Sequence, residues 1–224
     1  MAKDKLKVHG GFAYKMLSPF MRLGFRIHYN PKIVNKEVIP KEGPIIIACN
    51  HKHVFDQCFT IMATKRVIHY MAKKEYFDGK FAWFFRIAGC IPVDRSIHDD
   101  KATNAALEIL NKGGAIGIFP EGTRNKTYDT VLLPLKYGVV SMAYKTGATV
   151  VPCALTGDYK RRSKNLMVRY GKPFKVTSHD YEKFNKKLEK EMLSLMEENL
   201  KATNRTMEEE LQSRNQDQKK KDNK

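Results

Sequence analysis

Apolar positions along this chain change period several times, and each change marks an element. Near the start, Phe12, Met16, Phe20, Leu23 and Ile27 recur at spacings of four, four, three and four, while Lys15, Arg22 and Arg26 gather on another face. This predicts a basic amphipathic helix over residues 12–27, suited either to a membrane interface or to packing on the domain's own core. Pro19 interrupts it, and Ser18-Pro19 offers an alternative start, with Ser18 as cap and Pro19 in the first helical position. Short apolar runs then follow at 44–49 (PIIIAC), 67–71, 115–119, 149–155 and 166–170, each the length of a buried strand. Helical stretches separate them: 57–64, an aromatic segment 77–87 with Trp83, Phe84 and Phe85 in a row, 101–112 capped by Asp100, and 136–146 stopped by Gly147. Tyr181, Phe184, Leu188, Met192, Leu195 and Met196 define a last amphipathic helix, with Asp180 as its cap.

Strands alternating with helices predict an α/β domain, a mixed sheet flanked by helices. Three parts are expected: an N-terminal amphipathic segment over 1–30, one domain over 31–200, and a polar, disordered tail over 201–224 that buries too little apolar surface to offset ordering entropy. No apolar run reaches the roughly 18–20 uncharged residues that span a bilayer. The N-terminal stretch is cut by Arg22 and Arg26 and does not read as a signal peptide. The chain is therefore expected to be made and kept in the cytosol.

Charge sharpens this picture. The net charge is +17, and residues 212–224 carry only +3 of it, which leaves +14 on the rest. Such a surface wants an anionic partner: nucleic acid, a membrane surface or a phosphorylated substrate. No helix-turn-helix, zinc-knuckle or RNP-like motif occurs, and the aromatic residues are not interleaved with the basic ones, so nucleic acid is not the expected partner. The four cysteines, Cys49, Cys58, Cys90 and Cys153, are far apart and read as reduced, partly buried thiols.

Candidate chemistry falls just after strands. In Asn50-His51-Lys52-His53-Val54-Phe55-Asp56, a turn from strand to helix would let the Asp56 carboxylate reach the His51 ring. A carboxylate on one ring nitrogen fixes the tautomer and leaves the other to remove a proton from a hydroxyl. Alone, this spacing is more often structural. In Gly89-Cys90-Ile91-Pro92-Val93-Asp94-Arg95, an apolar strand delivers an arginine whose planar fork matches phosphate oxygens. In Phe119-Pro120-Glu121-Gly122-Thr123-Arg124, a turn presents a carboxylate, backbone amides, a hydroxyl and a guanidinium together. Val150-Val151-Pro152-Cys153 is a short strand with Pro152 at an edge or bend.

Taken in order, these blocks (NHxxxxD, GxIxxDR, FPEGTR and a VP-containing strand) resemble the glycerolipid acyltransferase family across residues 40–155. One position departs: members commonly carry a small residue two places after the first histidine, and here it is His53. The resemblance implies direct acyl transfer from a thioester, of coenzyme A or acyl carrier protein, to the sn-2 hydroxyl of a 1-acylglycerol 3-phosphate, giving phosphatidic acid for phospholipid biosynthesis. It implies His51 as general base with Asp56 behind it, and Arg95, Glu121, Gly122, Thr123 and Arg124 as substrate contacts. No cofactor and no metal are implied. The absence of a GxSxG elbow agrees with transfer without an acyl-enzyme. Two other readings stay open: another acceptor, such as glycerol 3-phosphate or a different lysophospholipid, and a metal-dependent hydrolase built on His51, His53 and Asp56.

Overall fold

The computed structural model describes residues 11–213 apart from Arg95, His98, Thr127 and Tyr128. Arg95, expected among the substrate contacts, and the last part of the polar tail, residues 214–224, therefore lie outside the described residues.

The five apolar runs, joined by the short strands Lys32–Val34, Ile91–Val93 and Phe174–Lys175, assemble into one mixed sheet that is eight-stranded among the described residues. Strand β2 (Ile45–Cys49) sits at its centre, parallel to β5 (Ala115–Ile118) on one side and β6 (Thr149–Thr156) on the other. Beyond β5 the parallel set continues with β3 (Ile68–Lys73) and β4 (Ile91–Val93). Beyond β6, both β7 (Met167–Tyr170) and β8 (Phe174–Lys175) run antiparallel, and β1 (Lys32–Val34) closes the edge parallel to β7.

The unbroken apolar run of β2 follows from burial on both faces. Ile46 and Ala48 enter one core with residues of α4 (Asp100–Asn111), α5 (Gly138–Thr146) and α6 (Tyr181–Ala202). Ile45, Ile47 and Cys49 enter the other with Phe59 of α2 (Asp56–Met62). Ala48 pairs with Ile118 and Cys49 with Cys153, so the segments leaving β2, β5 and β6 emerge side by side at one edge of the sheet, where α/β sheets place their sites.

Pro152 sits inside β6, a strand paired on both sides. Its missing N–H is harmless because the neighbouring strand is interrupted there: β7 pairs from Cys153 onward, β8 pairs at Thr149 and Val150, and Gly171 between them donates to the Pro152 carbonyl at 2.8 Å.

Helix α1 (Phe12–Tyr29) runs unbroken through Pro19. It has two apolar faces. Phe25 and Tyr29 pack edge-on against Phe59, with Tyr14 and Ser18 also buried. The face read from the sequence is the other one, and it stays outside: Phe12 is 81% exposed and Phe20 71%. No helix among the described residues is long and apolar enough to cross a membrane.

Two boundaries differ from expectation. The cap of α4 is Asp99, whose carboxylate accepts from Ala102 N, and Asp100 is already the first helical residue. The tail expected from 201 does not begin there. Residues 207–213 are helical and Glu210 is 1% exposed, because its carboxylate answers the buried ammonium of Lys52.

Candidate active site

Asn50, the residue after β2, prolongs the ladder with its side chain. Its Nδ2 donates to the Leu155 carbonyl at 2.9 Å, and its Oδ1 accepts from Leu155 N at 2.7 Å. His51 then leaves the sheet already fixed at its backbone. Its N–H donates to Glu121 Oε1 at 2.6 Å, and its carbonyl accepts from Asn125 N at 2.7 Å. The second Glu121 oxygen accepts from Leu133 N at 2.9 Å. Glu121, expected among substrate contacts, is therefore a buried brace, 3% exposed, joining the turns after β2 and β5. The register explains it: three residues past the Ala48–Ile118 pair, His51 and Glu121 fall beside each other.

After His51 the chain turns back through 52–55, with Asp56 N donating to the His53 carbonyl at 3.2 Å. The buried Asp56 carboxylate organises this turn. Its Oδ2 accepts from Lys52 N at 2.7 Å and His53 N at 2.8 Å, and lies 2.7 Å from His51 Nδ1. An ionised carboxylate only accepts, so Nδ1 carries the ring proton and Nε2 is the basic nitrogen. Tyr159, three residues beyond β6, donates its hydroxyl to Asp56 Oδ1. Burial first, and then the Asp56 charge, push the Tyr159 phenol well above its usual range, so it stays a donor.

The His51 ring stacks on Phe119 at 4.0 Å and 9°, and Phe119 stacks on Tyr70. Together they line a cleft of about 330 Å³ that also meets Val93, Ile118, Gly122 and Lys136. Gly122 turns the chain with φ +72, a conformation open to glycine at no steric cost. Thr123 is exposed and Arg124 half-buried on the same turn. His53 turns away from this cleft. Its ring stacks on Tyr159 at 4.0 Å, and its Nδ1 accepts from Phe55 N at 3.3 Å. No three His, Cys, Asp or Glu side chains among the described residues are grouped to hold a metal ion. Cys49, two residues before His51, is fully buried, and burial, then Cys153, push its thiol well above the ordinary range, which suppresses the thiolate.

A model of the acyltransferase family matches residues 30–156, more than half the chain and the part that carries His51, Asp56 and the Glu121–Arg124 turn. The chain belongs to the acyltransferase family. Among relatives, this acyltransferase is 34% identical over 146 residues to the 1-acyl-sn-glycerol-3-phosphate acyltransferase of Bacillus subtilis, covering 64% of this chain and 71% of that one. It is 33% identical over 142 residues to the protein of that name from Borreliella burgdorferi, covering 62% of this chain and 56% of the relative. The crystal structure of the 1-acyl-sn-glycerophosphate acyltransferase PlsC from Thermotoga maritima shares its fold, with TM-score 0.67, 22% identity, and coverage of 86% of this chain and 80% of that one.

Of the expected site residues, the acyltransferase brings His51 and Asp56 into contact, sets Glu121 behind His51, and places Gly122 on the cleft. Sequence reasoning missed Tyr159 and Lys136. Tyr159 lies 103 residues from its partner Asp56 and beyond the matched family region. Its only local signal is a tyrosine just past a strand end. Lys136 stands at the start of the expected 136–146 helix, where it reads as a solvated lysine; its N–H donates to the Pro120 carbonyl at 2.8 Å, which ties it to the Gly122 turn.

Proposed function

We propose that this acyltransferase moves a fatty acyl group from a thioester to the sn-2 hydroxyl of a 1-acylglycerol 3-phosphate, giving phosphatidic acid. The observation that carries the reading is the His51–Asp56 contact of 2.7 Å at the wall of a cleft that also holds Gly122 and Lys136. His51 Nε2 takes the proton of the acceptor hydroxyl. The oxygen forms a bond to the thioester carbonyl carbon, the C–S bond breaks, and the imidazolium returns its proton to the leaving thiolate. Asp56 holds the tautomer and stabilises the imidazolium.

The acceptor's phosphate is bound by Arg95, Arg124 and Lys136, with Gly122 and Thr123 offering backbone amides and a hydroxyl. Binding energy at the phosphate thereby serves to hold the hydroxyl beside His51. Glu121 acts by fixing the His51 backbone rather than by touching substrate. The donor is an acyl thioester of coenzyme A or of acyl carrier protein.

A single-chain lipid acceptor lives in a bilayer, and the surface suits that. The exposed apolar face of α1 adjoins a groove of about 950 Å³ lined by Arg22, Arg26, Lys32, Lys36, Arg162 and Lys164. Each basic side chain near an anionic leaflet contributes about 1 kcal/mol. The enzyme attaches peripherally, on the cytoplasmic face.

The test is an assay of purified protein with lysophosphatidic acid and each acyl thioester, with identification of the lipid product and parallel arms offering glycerol 3-phosphate and other lysophospholipids. Phosphatidic acid is the expected product, and His51→Ala is expected to abolish it while leaving the fold intact. Near-normal turnover by His51→Ala would remove the proposed base, and a clear preference for another acceptor would replace the proposed substrate.

A further inference from the structure

Behind the His51–Asp56 pair lies a buried ionic cluster that the proposed chemistry does not use. Glu210 is 1% exposed at its side chain and Lys52 6%. The Lys52 ammonium, on the residue next to His51, donates to Glu210 Oε1 and also to the Gly157 carbonyl at 2.7 Å. The other Glu210 oxygen accepts from Gly157 N at 2.9 Å. One carboxylate therefore ties together the two loops that build the pair: residues 51–56, which carry His51 and Asp56, and residues 157–159, which carry Tyr159.

The joint is a built one. Gly157 has φ +91, and a Cβ there would stand 2.0 Å from the Asn165 carbonyl oxygen, so the chain comes this close only as glycine. Glu210 is aimed by its own short helix, which starts with a capping box: Thr206 N donates to Glu209 Oε2 at 2.8 Å, and Glu209 N donates to Thr206 Oγ1 at 3.2 Å. Arg205 Nη1 lies 3.4 Å from Glu210 Oε2 and 3.4 Å from Asp158 Oδ1, which spreads the charge over a further layer. A buried ammonium and carboxylate are retained only when each answers the other with good hydrogen bonds.

We propose that Glu210 is a positioning residue for the acyl transfer: through Lys52 and Gly157 it sets the His51 loop against Tyr159 and so fixes the direction of the general base. The segment around residues 205–213, outside the matched family region, is thus part of the catalytic machinery of this chain rather than a tail.

This inference rests on the His51 general-base reading, and His51→Ala tests that reading separately. The experiment here compares full-length Glu210→Gln, and a Lys52→Met/Glu210→Leu double variant, with the unaltered chain. Rates are measured per folded protein, well below each variant's Tm. Misplacing a reacting group by about an ångström costs up to about a hundredfold. We expect kcat to fall about ten- to a hundredfold in both variants, with KM for lysophosphatidic acid within about twofold, because the phosphate contacts come from other turns. The double variant is expected to fold, since an apolar pair of similar volume commonly replaces a buried ion pair without loss of stability. A folded variant with kcat within twofold of wild type overturns the proposal, as does a loss confined to KM. Failure of both variants to fold assigns Glu210 to the fold and also overturns it.

Discussion

At the scale of residues, the site is a histidine whose direction is fixed by one crowded carboxylate. Asp56 receives two backbone N–H groups, a phenol and the His51 ring, and is fully buried. Asp56→Asn replaces an acceptor-only group by an amide with two donors that these donors cannot satisfy. In a serine protease the corresponding change costs about 10⁴ in kcat through the wrong tautomer. A loss of about 10³–10⁴ is expected here, read as kcat on lysophosphatidic acid. Tyr159→Phe removes one hydrogen bond to a charged group, a change of about 1.5–3 kcal/mol, and should lower kcat about tenfold or more while leaving KM unchanged. An unchanged kcat in Tyr159→Phe would reduce that residue to packing. His51 and Asp56 were legible in the sequence because their contact is local, closed by a turn of four residues. Glu121 was harder to read, because the same letters after a strand serve a substrate or a backbone equally well. Only the register, which pairs β2 with β5, decides that it points at the His51 amide.

At the scale of elements, α1 carries the clearest lesson. Its spacing of apolar residues identified a real face, but the helix packs on the domain with a different one, through Tyr14, Phe25 and Tyr29. Periodicity finds stripes without saying which stripe meets the core, since aromatic residues were also present on the second face. What it leaves outside, Phe12, Met16, Phe20, Leu23 and Ile27, is more than half exposed throughout. Full burial of such a side chain contributes about 1.5–3 kcal/mol. Phe20→Asp/Leu23→Asp should therefore weaken partition onto vesicles containing anionic phospholipid at least tenfold. Surface changes of this kind move stability by only about 0.5 kcal/mol, so Tm should hold. Equal partition of variant and wild type would remove α1 from the membrane contact. The short C-terminal helix shows the opposite failing. Its capping box, Thr206 to Glu209, was written in the sequence, but the high charge around it read as a solvated tail. Lys52, which gives Glu210 its reason to be buried, lies 158 residues away.

At the scale of the whole molecule, alternating strands and helices were enough to predict the α/β class, while the strand order was not readable, because it depends on pairings such as β2 with β6 that join residues about a hundred apart. Those pairings also bury titratable groups, which makes stability depend on pH in a predictable sense. His69 on β3 donates from Nδ1 to the Gly89 carbonyl at 2.7 Å, just before β4. Burial pulls its imidazolium below the ordinary 6.5, and the Gly89 hydrogen bond only partly offsets this. Between the two values the unfolded chain holds a proton that the folded one lacks, so stability rises with pH in that window. The contribution is complete above about 6.5 and is lost as pH falls through the folded value. Asp99 is lowered by hydrogen bonds from Asp94 and Ala102. Asp158 is raised by burial, but the Asn165 hydrogen bond and Arg205 outweigh this and leave it lowered. Both are held below the ordinary 3.8, so their contribution is complete above 3.8 and is lost as pH falls through their folded values. Thermal unfolding followed from neutral pH downward should therefore show two separate declines in Tm. His69→Asn, which keeps a donor for Gly89 without a titrating ring, should flatten the first decline and leave the second in place. If the variant reproduces the wild-type curve through the first decline, the proton responsible sits on another group, and the seam between β3 and β4 is not where the fold meets its first acid limit.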